Sequence, residues 1–409
     1  GNGLGRIINI IDTPFKIRKA MKQFYKHEKP DVIYTSSPDL FVAFFALLFG
    51  HRHKIPVVVE IRDLWPESIV EYNGMSRKNP IIQILYQLEK WIYKKADQLI
   101  FTMEGGKDYI KDKKWDKSVD LRKVNHVNNG VDLEEYENDV QNYQLYDEEL
   151  ENRSIFKVIY VGSVRCANNI GTLVNVGEEL KKRGKTNIKI LIYGEGTDRA
   201  SLEKDCKRKK LDNVIFKGKV EKKYVPYILS KSDLNILNYK QAGTWKYGGS
   251  QNKQFEYLAS GKPICSNVRM GYSIIRTNNC GIENNLTSIK DYADIIVKYE
   301  EMNDSDYKHA INDEFRTGDG GDNIHAGANY KHSSGCIVIG ISPAGENSYQ
   351  NSLEQDMRFK AAVACARRKR SNIKIRTKVS KLPPLNISTD PVIPNALEVN
   401  EECEKRENK

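Results

Sequence analysis

The sequence predicts an α/β fold made of two doubly wound parallel sheets, one after the other along the chain. Short apolar runs rich in β-branched residues alternate with longer stretches of helical period, which is typical of parallel strands covered by helices. A polar, acidic stretch at residues 135–152 divides this pattern into two halves. We therefore predict two Rossmann-like domains joined by a linker.

The first half, residues 1–134, contains predicted strands at residues 31–36, 56–61 and 98–103. The segment 123–136 follows them after a helix and a loop. Residues 41–49 form an apolar segment that fits a buried helix, and residues 80–96 have an apolar position every three to four residues, which indicates an amphipathic helix.

The second half, residues 153–308, repeats the strand and helix alternation more regularly. Strands are predicted at residues 156–162, 188–196, 213–218, 233–239 and 262–267. Helices are predicted between them at residues 171–184, 198–210, 222–232 and 250–261. This βαβαβαβαβ order favours a doubly wound sheet.

The composition changes after His309. Glycine, asparagine and serine become frequent and the helical period stops, so we expect residues 309–381 to form a separate small module. Residues 382–409 are expected to be a disordered tail.

The charge of the chain points to an anionic partner. The formal net charge is +11, and nucleic acid, acidic lipid and phosphorylated small molecules all fit it. Part of the excess lies in the basic run at residues 366–381, which we interpret as a solvated tail.

The sequence also indicates the compartment. The longest apolar run, residues 40–50, is far shorter than the roughly 20 residues that span a bilayer, and the first residues lack the layout of a secretory signal. Seven cysteines without paired spacing indicate reduced thiols, and no zinc-binding pattern is present. We expect a cytoplasmic protein.

Two glycine turns precede predicted helices and are candidate phosphate-binding loops, because free N–H groups at a helix N-terminus attract anions. The first begins at Gly162 and includes Arg165; a tight turn at a strand end is the alternative. The second contributes Gly249, Ser250, Asn252 and Lys253, and its helix carries Glu256 one turn further on. A surface ion pair between Lys253 and Glu256 is the alternative for those two residues.

Six motifs in order resemble family 4 of the retaining glycosyltransferases, which have the GT-B fold. They are PVVVEIRDLWPES, HVNNGVDLEEY, VIYVG, ILIYGEG, NVIFKG and SQNKQFEYLASGKPI. The likeness covers residues 1–307, and EIRDLWPES resembles the branch that builds bacterial O-antigen and capsule. It implies that NGVD, residues 129–132, closes the first domain and that Glu256 holds the donor ribose.

The sequence departs from this family at several site positions. Gly248 stands where the family has the first acid of a spaced glutamate pair, and Ser163 and Asn169 stand near its pyrophosphate-binding arginine and lysine. Arg165 and Lys253 are then the expected substitutes.

The acceptor-side loop also departs from the family. Arg62 replaces a histidine there, beside Asp63. Asp63 is expected to accept a proton from the acceptor or to orient it; an N-cap or an ion pair with Arg62 is the alternative.

The resemblance further implies an opening strand and glycine-rich loop that do not precede Gly1, and a final helix that does not follow Lys308. We therefore expect an N-terminally truncated member of the family.

The C-terminal module has candidate chemistry of its own. His325 and Cys336 lie close in sequence, and a cysteine with a nearby histidine suits a nucleophile and its base. The segment resembles a phage-associated domain of unknown function and, loosely, the His and Ser-x-Gly-Cys signature of L,D-transpeptidases, although Ser334 stands where that signature has histidine. A buried structural cysteine is the alternative.

These observations lead to three functional hypotheses. The first is transfer of a sugar from a nucleotide-diphosphate donor to a surface-polysaccharide or lipid-linked glycan, with retention, without a cofactor or metal and without nucleic acid. The basic surface would then contact anionic lipid at the inner face of the plasma membrane. The second is a truncated, inactive nucleotide-binding relative, and the third is a peptidoglycan- or phage-associated Cys/His module fused to a glycosyltransferase fragment.

Overall fold

The computed structural model describes residues 4–37, 40–303 and 307, with side chains from residue 12 onward. The predicted module at 309–381, the tail at 382–409 and the candidates His325 and Cys336 lie outside the described residues.

The first half is a parallel four-stranded sheet in the order β1-β2-β3-β4. Its elements are α1 (Leu4–His27), β1 (Ile33–Ser36), α2 (Leu40–His53), β2 (Val57–Ile61), α3 (Glu67–Asn73), α4 (Pro80–Lys95), β3 (Gln98–Phe101), α5 (Gly106–Asp112) and β4 (Val124–His126). The predicted strands and both predicted helices are present, and every residue of β2 and β3 is buried. The continuous apolar runs therefore reflect a sheet covered on both faces.

The second half is a parallel six-stranded sheet in the order β10-β9-β8-β5-β6-β7. Its elements are β5 (Phe156–Val161), α8 (Gly171–Lys182), β6 (Ile188–Tyr193), α9 (Arg199–Arg208), β7 (Val214–Gly218), α10 (Val225–Ser230), β8 (Leu234–Leu237), α11 (Asn252–Ala259), β9 (Ile264–Ser266), α12 (Ile274–Thr277), β10 (Gly281–Glu283) and α13 (Ile289–Glu300). This is the strand order of a Rossmann fold, so the predicted doubly wound sheet is confirmed. Its strand order reverses between β5 and β8, and ligands of such sheets bind beyond the carboxyl ends of the strands at that point.

The segment predicted as a linker contains two helices, α6 (Leu133–Asn142) and α7 (Glu148–Glu151). Asp132 caps α6 by accepting from the Glu135 N–H at 3.0 Å, and Asp147 caps α7. Asp147 also accepts from the Tyr193 hydroxyl at 3.0 Å and from Lys217 Nζ at 2.8 Å. The segment is thus fixed against the second sheet.

A short 3-10 helix of the second half, Gly243–Tyr247, contacts the first half. The Gly105 N–H donates to the Tyr247 carbonyl at 2.9 Å, and the Gly243 N–H donates to a Glu71 carboxylate oxygen at 3.0 Å. The Tyr247 hydroxyl donates to Asp112 at 2.8 Å. These contacts join the two halves.

Within the described residues, no helix is both long enough and apolar enough to cross a bilayer.

Candidate active site

The first candidate loop leaves β5 through a close approach of two backbone segments. Gly162 has φ +151°, and its N–H donates to the Tyr193 carbonyl at 2.9 Å. A Cβ placed on Gly194 would lie 1.8 Å from the Gly162 carbonyl oxygen, so this contact requires glycine. Gly162 therefore forms a tight turn, and that turn lies at the carboxyl end of β5, where the strand order reverses.

Asparagine side chains fix the loop that follows. Asn168 Nδ2 donates to the carbonyl and hydroxyl oxygens of Ser163, each at 2.8 Å. Asn238 Nδ2, just beyond β8, donates to the Asn168 and Asn169 carbonyls, each at 2.8 Å. Asn169 takes a left-handed conformation with φ +47°. Ser163 and Asn169 thus have structural roles.

The same loop carries Arg165 and leads into α8. Arg165 is exposed, and it forms no ion pair with any residue that the structure describes. No side chain caps the N-terminus of α8 or that of α11. The Thr172 and Leu173 N–H groups of α8 and the Gln254 N–H of α11 donate to backbone carbonyls, each at 3.0 Å. Within the described residues this leaves the first N–H of α8 and the first two of α11 for a ligand.

Lys253 reaches across to this loop from the first turn of α11. Its Nζ lies 3.3 Å from Asn168 Oδ1 and 3.4 Å from the Tyr160 hydroxyl, and 4.6 Å and 4.3 Å from the ring centroids of Tyr160 and Tyr239. No carboxylate of the described residues is within ion-pair distance of it, so the alternative pair with Glu256 does not form. Desolvation lowers the pKa of Lys253 to about 7.

Glu256 lies one turn further along α11 and is half-buried. Desolvation raises the pKa of its carboxyl, and the Lys222 ammonium partly opposes that shift. Its carboxylate makes no hydrogen bond to any residue that the structure describes. It is therefore available to hydroxyl groups of a ligand.

The glycine-rich turn before α11 joins the two halves. Ser250 Oγ accepts from the Asn129 N–H at 2.7 Å, and Asn129 Nδ2 donates to the Ser250 carbonyl. Gly248 has φ +91°. A Cβ on Gly249 would lie 2.7 Å from Gln251 Nε2 and 2.8 Å from the Met270 sulfur, so these side chains would have to move. Asn252 is exposed at the first position of α11.

Asp63 and Arg62 belong to the first half and directly follow β2. The side chain of Asp63 is accessible to solvent. Desolvation by the surrounding protein nevertheless raises the pKa of its carboxyl, and a hydrogen bond with Ser68 partly opposes that shift. Asp63 neither caps α3, whose N-cap is Pro66, nor forms an ion pair with Arg62. The Arg62 N–H donates to Ser37 Oγ at 2.9 Å.

Two tyrosines lie between Asp63 and Lys253. The Tyr72 hydroxyl is hydrogen-bonded to Thr244, and its pKa is raised first by desolvation and then by the Asp63 carboxylate. Tyr72 in turn contributes to the raised pKa of Tyr239, whose ring Lys253 contacts. Tyr72 thus lies near Asp63 on one side and near Tyr239, whose ring Lys253 contacts, on the other.

Sequence reasoning missed Tyr72, Tyr160, Tyr239 and Asn238. A signal existed for the last two, because they directly follow β8 at the switch point of the second sheet. Tyr72 has no such signal, since its place depends on how the two halves pack.

The described residues contain no group of three or more histidine, cysteine, aspartate or glutamate side chains that suits a metal ion. A reaction without a metal remains a prediction.

The two parallel-sheet α/β domains define the class of protein, which is a two-domain protein of the GT-B type. Residues 3–135 match the family model Glycosyltransferase Family 4, and residues 155–301 match the model Glycosyl transferases group 1. The chain is a glycosyltransferase by these two domains.

Solved structures agree on the fold. A UDP-forming α,α-trehalose-phosphate synthase from Burkholderia xenovorans is similar with a TM-score of 0.59 and 12% identity, over 77% of this chain and 76% of that one. Sucrose-phosphate synthase from Thermosynechococcus elongatus is similar with a TM-score of 0.58 and 16% identity, over 75% of this chain and 73% of that one. The Anabaena protein HepE in complex with UDP is similar with a TM-score of 0.54 and 13% identity, over 74% of this chain and 76% of that one. No curated protein matches the sequence.

Proposed function

We propose that this glycosyltransferase moves a sugar from a nucleotide-diphosphate donor to a hydroxyl of a surface-polysaccharide or lipid-linked glycan, with retention at the anomeric carbon. The observation that carries the proposal is Lys253, a desolvated cation without a carboxylate partner in the described residues, located where the second sheet reverses its strand order. A lysine in that state is stabilised by an anion that enters the cleft.

The donor diphosphate fits the second domain. Lys253 supplies the charge, Arg165 adds an exposed guanidinium, and the uncapped N-termini of α8 and α11 supply N–H donors. Fixed donors of this kind stabilise charge that develops on the leaving diphosphate, so the proposal needs no metal.

The nucleoside is assigned to Glu256, whose carboxylate is free to accept from ribose hydroxyls. Structural neighbours support this class of donor. One structure of HepE contains UDP and glucose and is similar to this chain with a TM-score of 0.53. Another contains UDP-glucose and is similar with a TM-score of 0.51.

The acceptor is assigned to the wall formed by Asp63 and Arg62. Asp63 is accessible, forms no ion pair with a described residue, and has a raised pKa because it is desolvated. A carboxylate of this kind suits the orientation or deprotonation of an attacking hydroxyl. We place the reaction in the cytoplasm, where nucleotide sugars and lipid-linked intermediates meet at the membrane face.

One observation favours a second candidate, a nucleotide-binding relative without turnover. Gly248 occupies the position where the resemblance implies an acid, and it has no side chain with which to contact the donor sugar. This candidate predicts donor binding without donor cleavage.

Turnover of the full chain separates the two candidates. We would incubate it with a panel of nucleotide-diphosphate sugars and lipid-linked glycan acceptors, and measure the nucleoside diphosphate released and the anomeric configuration of the product. The proposal predicts release with retention, and at least about a hundredfold loss of kcat in Asp63→Asn with donor affinity little changed. Donor binding without release in any combination would establish the second candidate instead.

A further inference from the structure

The first domain has an exposed apolar surface away from the cleft, on the outer side of three helices. Seven large hydrophobic residues are recorded as exposed in the described part of the chain, and three of them are tyrosines. The other four, Phe15, Leu48, Ile81 and Ile84, all belong to α1, α2 or α4. Such grouping differs from the scattered exposed apolar residues that are ordinary on a protein surface.

Ring contacts show that this surface is continuous. Phe15 of α1 packs on Phe45 of α2 at 5.3 Å, Phe45 on Phe44 at 5.4 Å, and Phe44 on Trp91 of α4 at 5.2 Å between ring centroids. On α4 the stripe continues toward the helix N-terminus at helical spacing. We call this surface the outer face; it comprises Phe15, Phe44, Phe45, Leu48, Ile81, Ile84, Leu88 and Trp91.

The opposite side of α4 holds the helix in place. Ile82, Leu85 and Ile92 are buried in the core, and the buried Glu89 accepts from the hydroxyls of Tyr93 at 2.8 Å and Tyr109 at 3.1 Å. Leu88 and Trp91 of the outer face also pack against this core, whereas Ile81 and Ile84 are not needed to fix α4. A side chain exposed by more than 60%, as Ile81 and Ile84 are, contributes little to folding.

The helices of the outer face are rich in basic residues. They contain ten lysines and arginines and only two acids, Asp12 and Glu89. Asp12 pairs with Lys16, and Glu89 is buried. Arg18 lies over the Phe45 ring at 5.5 Å, and Lys22, one turn further along α1, is exposed. The apolar residues of the outer face therefore have positive side chains beside them on α1.

We propose that the outer face of α1, α2 and α4 binds the surface of an anionic lipid bilayer. An apolar stripe with aromatic residues inserts at the boundary between headgroups and acyl chains, while lysines and arginines contact the anionic headgroups. Charge complementarity favours this occupant over a second copy of the chain, because two copies would bring the same positive edges together. The outer face is distinct from the cleft, so its test is independent of the proposed function.

Vesicle binding of the full chain tests the assignment. We would compare sedimentation with vesicles of phosphatidylcholine alone and with about 30 mol % phosphatidylglycerol, at low and high salt. The expected result is binding to the anionic vesicles that weakens with salt. Ile81→Ser/Ile84→Ser should lower the partition coefficient at least about tenfold. Arg18→Glu/Lys22→Glu should also lower the partition coefficient at least about tenfold, since each basic residue near the bilayer raises that coefficient about fivefold.

Matched variants and donor binding serve as controls. Tyr146→Ser removes an aromatic ring that is 87% exposed elsewhere, and Lys204→Glu/Lys207→Glu reverses two exposed charges on α9. Both should bind vesicles like the parent chain, and nucleotide binding should be the same in all variants. All of them keep the basic run at 366–381, so a difference between them reports the outer face alone.

Three results would overturn the assignment. They are equal binding to neutral vesicles, binding unaffected by the outer-face variants, and a dimer in light scattering that Ile81→Ser/Ile84→Ser converts to a monomer. The last result would assign the face to a second copy.

Discussion

Lys253 differs from Lys113, another lysine that packs on tyrosine rings in this protein. Lys113 lies 3.8 Å from the Tyr86 ring centroid and is paired with the buried Glu67 carboxylate, so its charge is compensated inside the fold. Lys253 contacts two rings and two neutral oxygens instead. The contrast separates a lysine with a structural role from one that awaits an anionic ligand.

Replacement of Lys253 should stabilise the free protein. The pKa of Lys253 is about 7 in the folded state, against 10.5 for an ordinary lysine. The unfolded chain therefore binds more protons between these two pH values, and the contribution of Lys253 to stability rises with pH in that window. Lys253→Met removes the desolvated ammonium and should raise the free energy of unfolding by about 1–3 kcal/mol near pH 7, and by less near pH 9.

Urea unfolding at both pH values measures this difference. Lys207→Met, at an exposed position of α9, is the control and should change stability by less than about 0.5 kcal/mol. A Lys253→Met protein that is less stable than the parent at both pH values would show that the ammonium contributes to folding.

At the residue scale the sequence predicted part of the cleft. Lys253 and Glu256 were predicted from a glycine turn before a helix, and Asp63 from the resemblance of its segment to the family's acceptor-side loop. Their proposed roles remain predictions. The alternative ion pair of Lys253 with Glu256 was wrong, because Lys253 packs on Tyr160 and Tyr239, whose approach depends on the tertiary structure.

Among the elements, α11 is joined to the second sheet by a hydrogen bond from a strand N–H to one of its side chains. The Tyr257 hydroxyl accepts from the Val161 N–H at 2.9 Å at the end of β5. This bond satisfies a strand N–H at the switch point and sets the distance between α11 and the loop that follows Gly162. The position of Lys253 therefore depends on a residue of the same helix that faces the sheet.

Tyr257→Phe tests this link. The change leaves the buried Val161 N–H without its acceptor, which should cost about 1–3 kcal/mol of stability and weaken nucleotide binding by shifting α11. Thermal unfolding and donor titration measure the two effects. Tyr146→Phe, at an exposed hydroxyl, should change neither; an unchanged donor affinity in Tyr257→Phe would refute the link.

The sequence predicted the buried elements better than the exposed ones. Strands of continuous apolar residues were found with nearly correct bounds, because parallel strands covered on both faces have that composition. The helices α6 and α7 were missed within the segment predicted as a linker. Their signals were present, since Asp132 and Asp147 are N-caps followed by acidic first turns, but the polar composition concealed them.

At the scale of the molecule, the relative position of the two domains depends on a close approach of two backbone segments, at Gly105 and Tyr247. Gly105 has φ −73°, which alanine adopts freely, but a Cβ there would lie 2.7 Å from the Cα and carbonyl oxygen of Tyr247 in the other domain. Backbone atoms cannot move aside as a side chain does. Gly105 thus permits a distance between domains that the sequence pattern does not reveal.

Gly105→Ala should separate the domains without unfolding either. We expect a larger radius of gyration in small-angle scattering and at least about a tenfold loss of turnover, because the two walls of the cleft no longer meet. Gly243→Ala is the matched control in the same contact, since its Cβ would meet Glu71 at an ordinary 3.5 Å. Equal behaviour of the two variants would show that the domain contact does not control the cleft.

The central claim, that Lys253 binds the donor diphosphate in the cleft, is tested most directly by calorimetric titration of the tightest nucleotide sugar from about pH 6 to pH 9. The diphosphate of a sugar nucleotide keeps its charge across this range, so the pH dependence reports the protein. Binding should be tightest near pH 6 and weaken roughly tenfold per pH unit above the lysine pKa of about 7, whereas Lys253→Met should bind weakly at every pH. Equal affinity of the parent and Lys253→Met near pH 6 would contradict the claim.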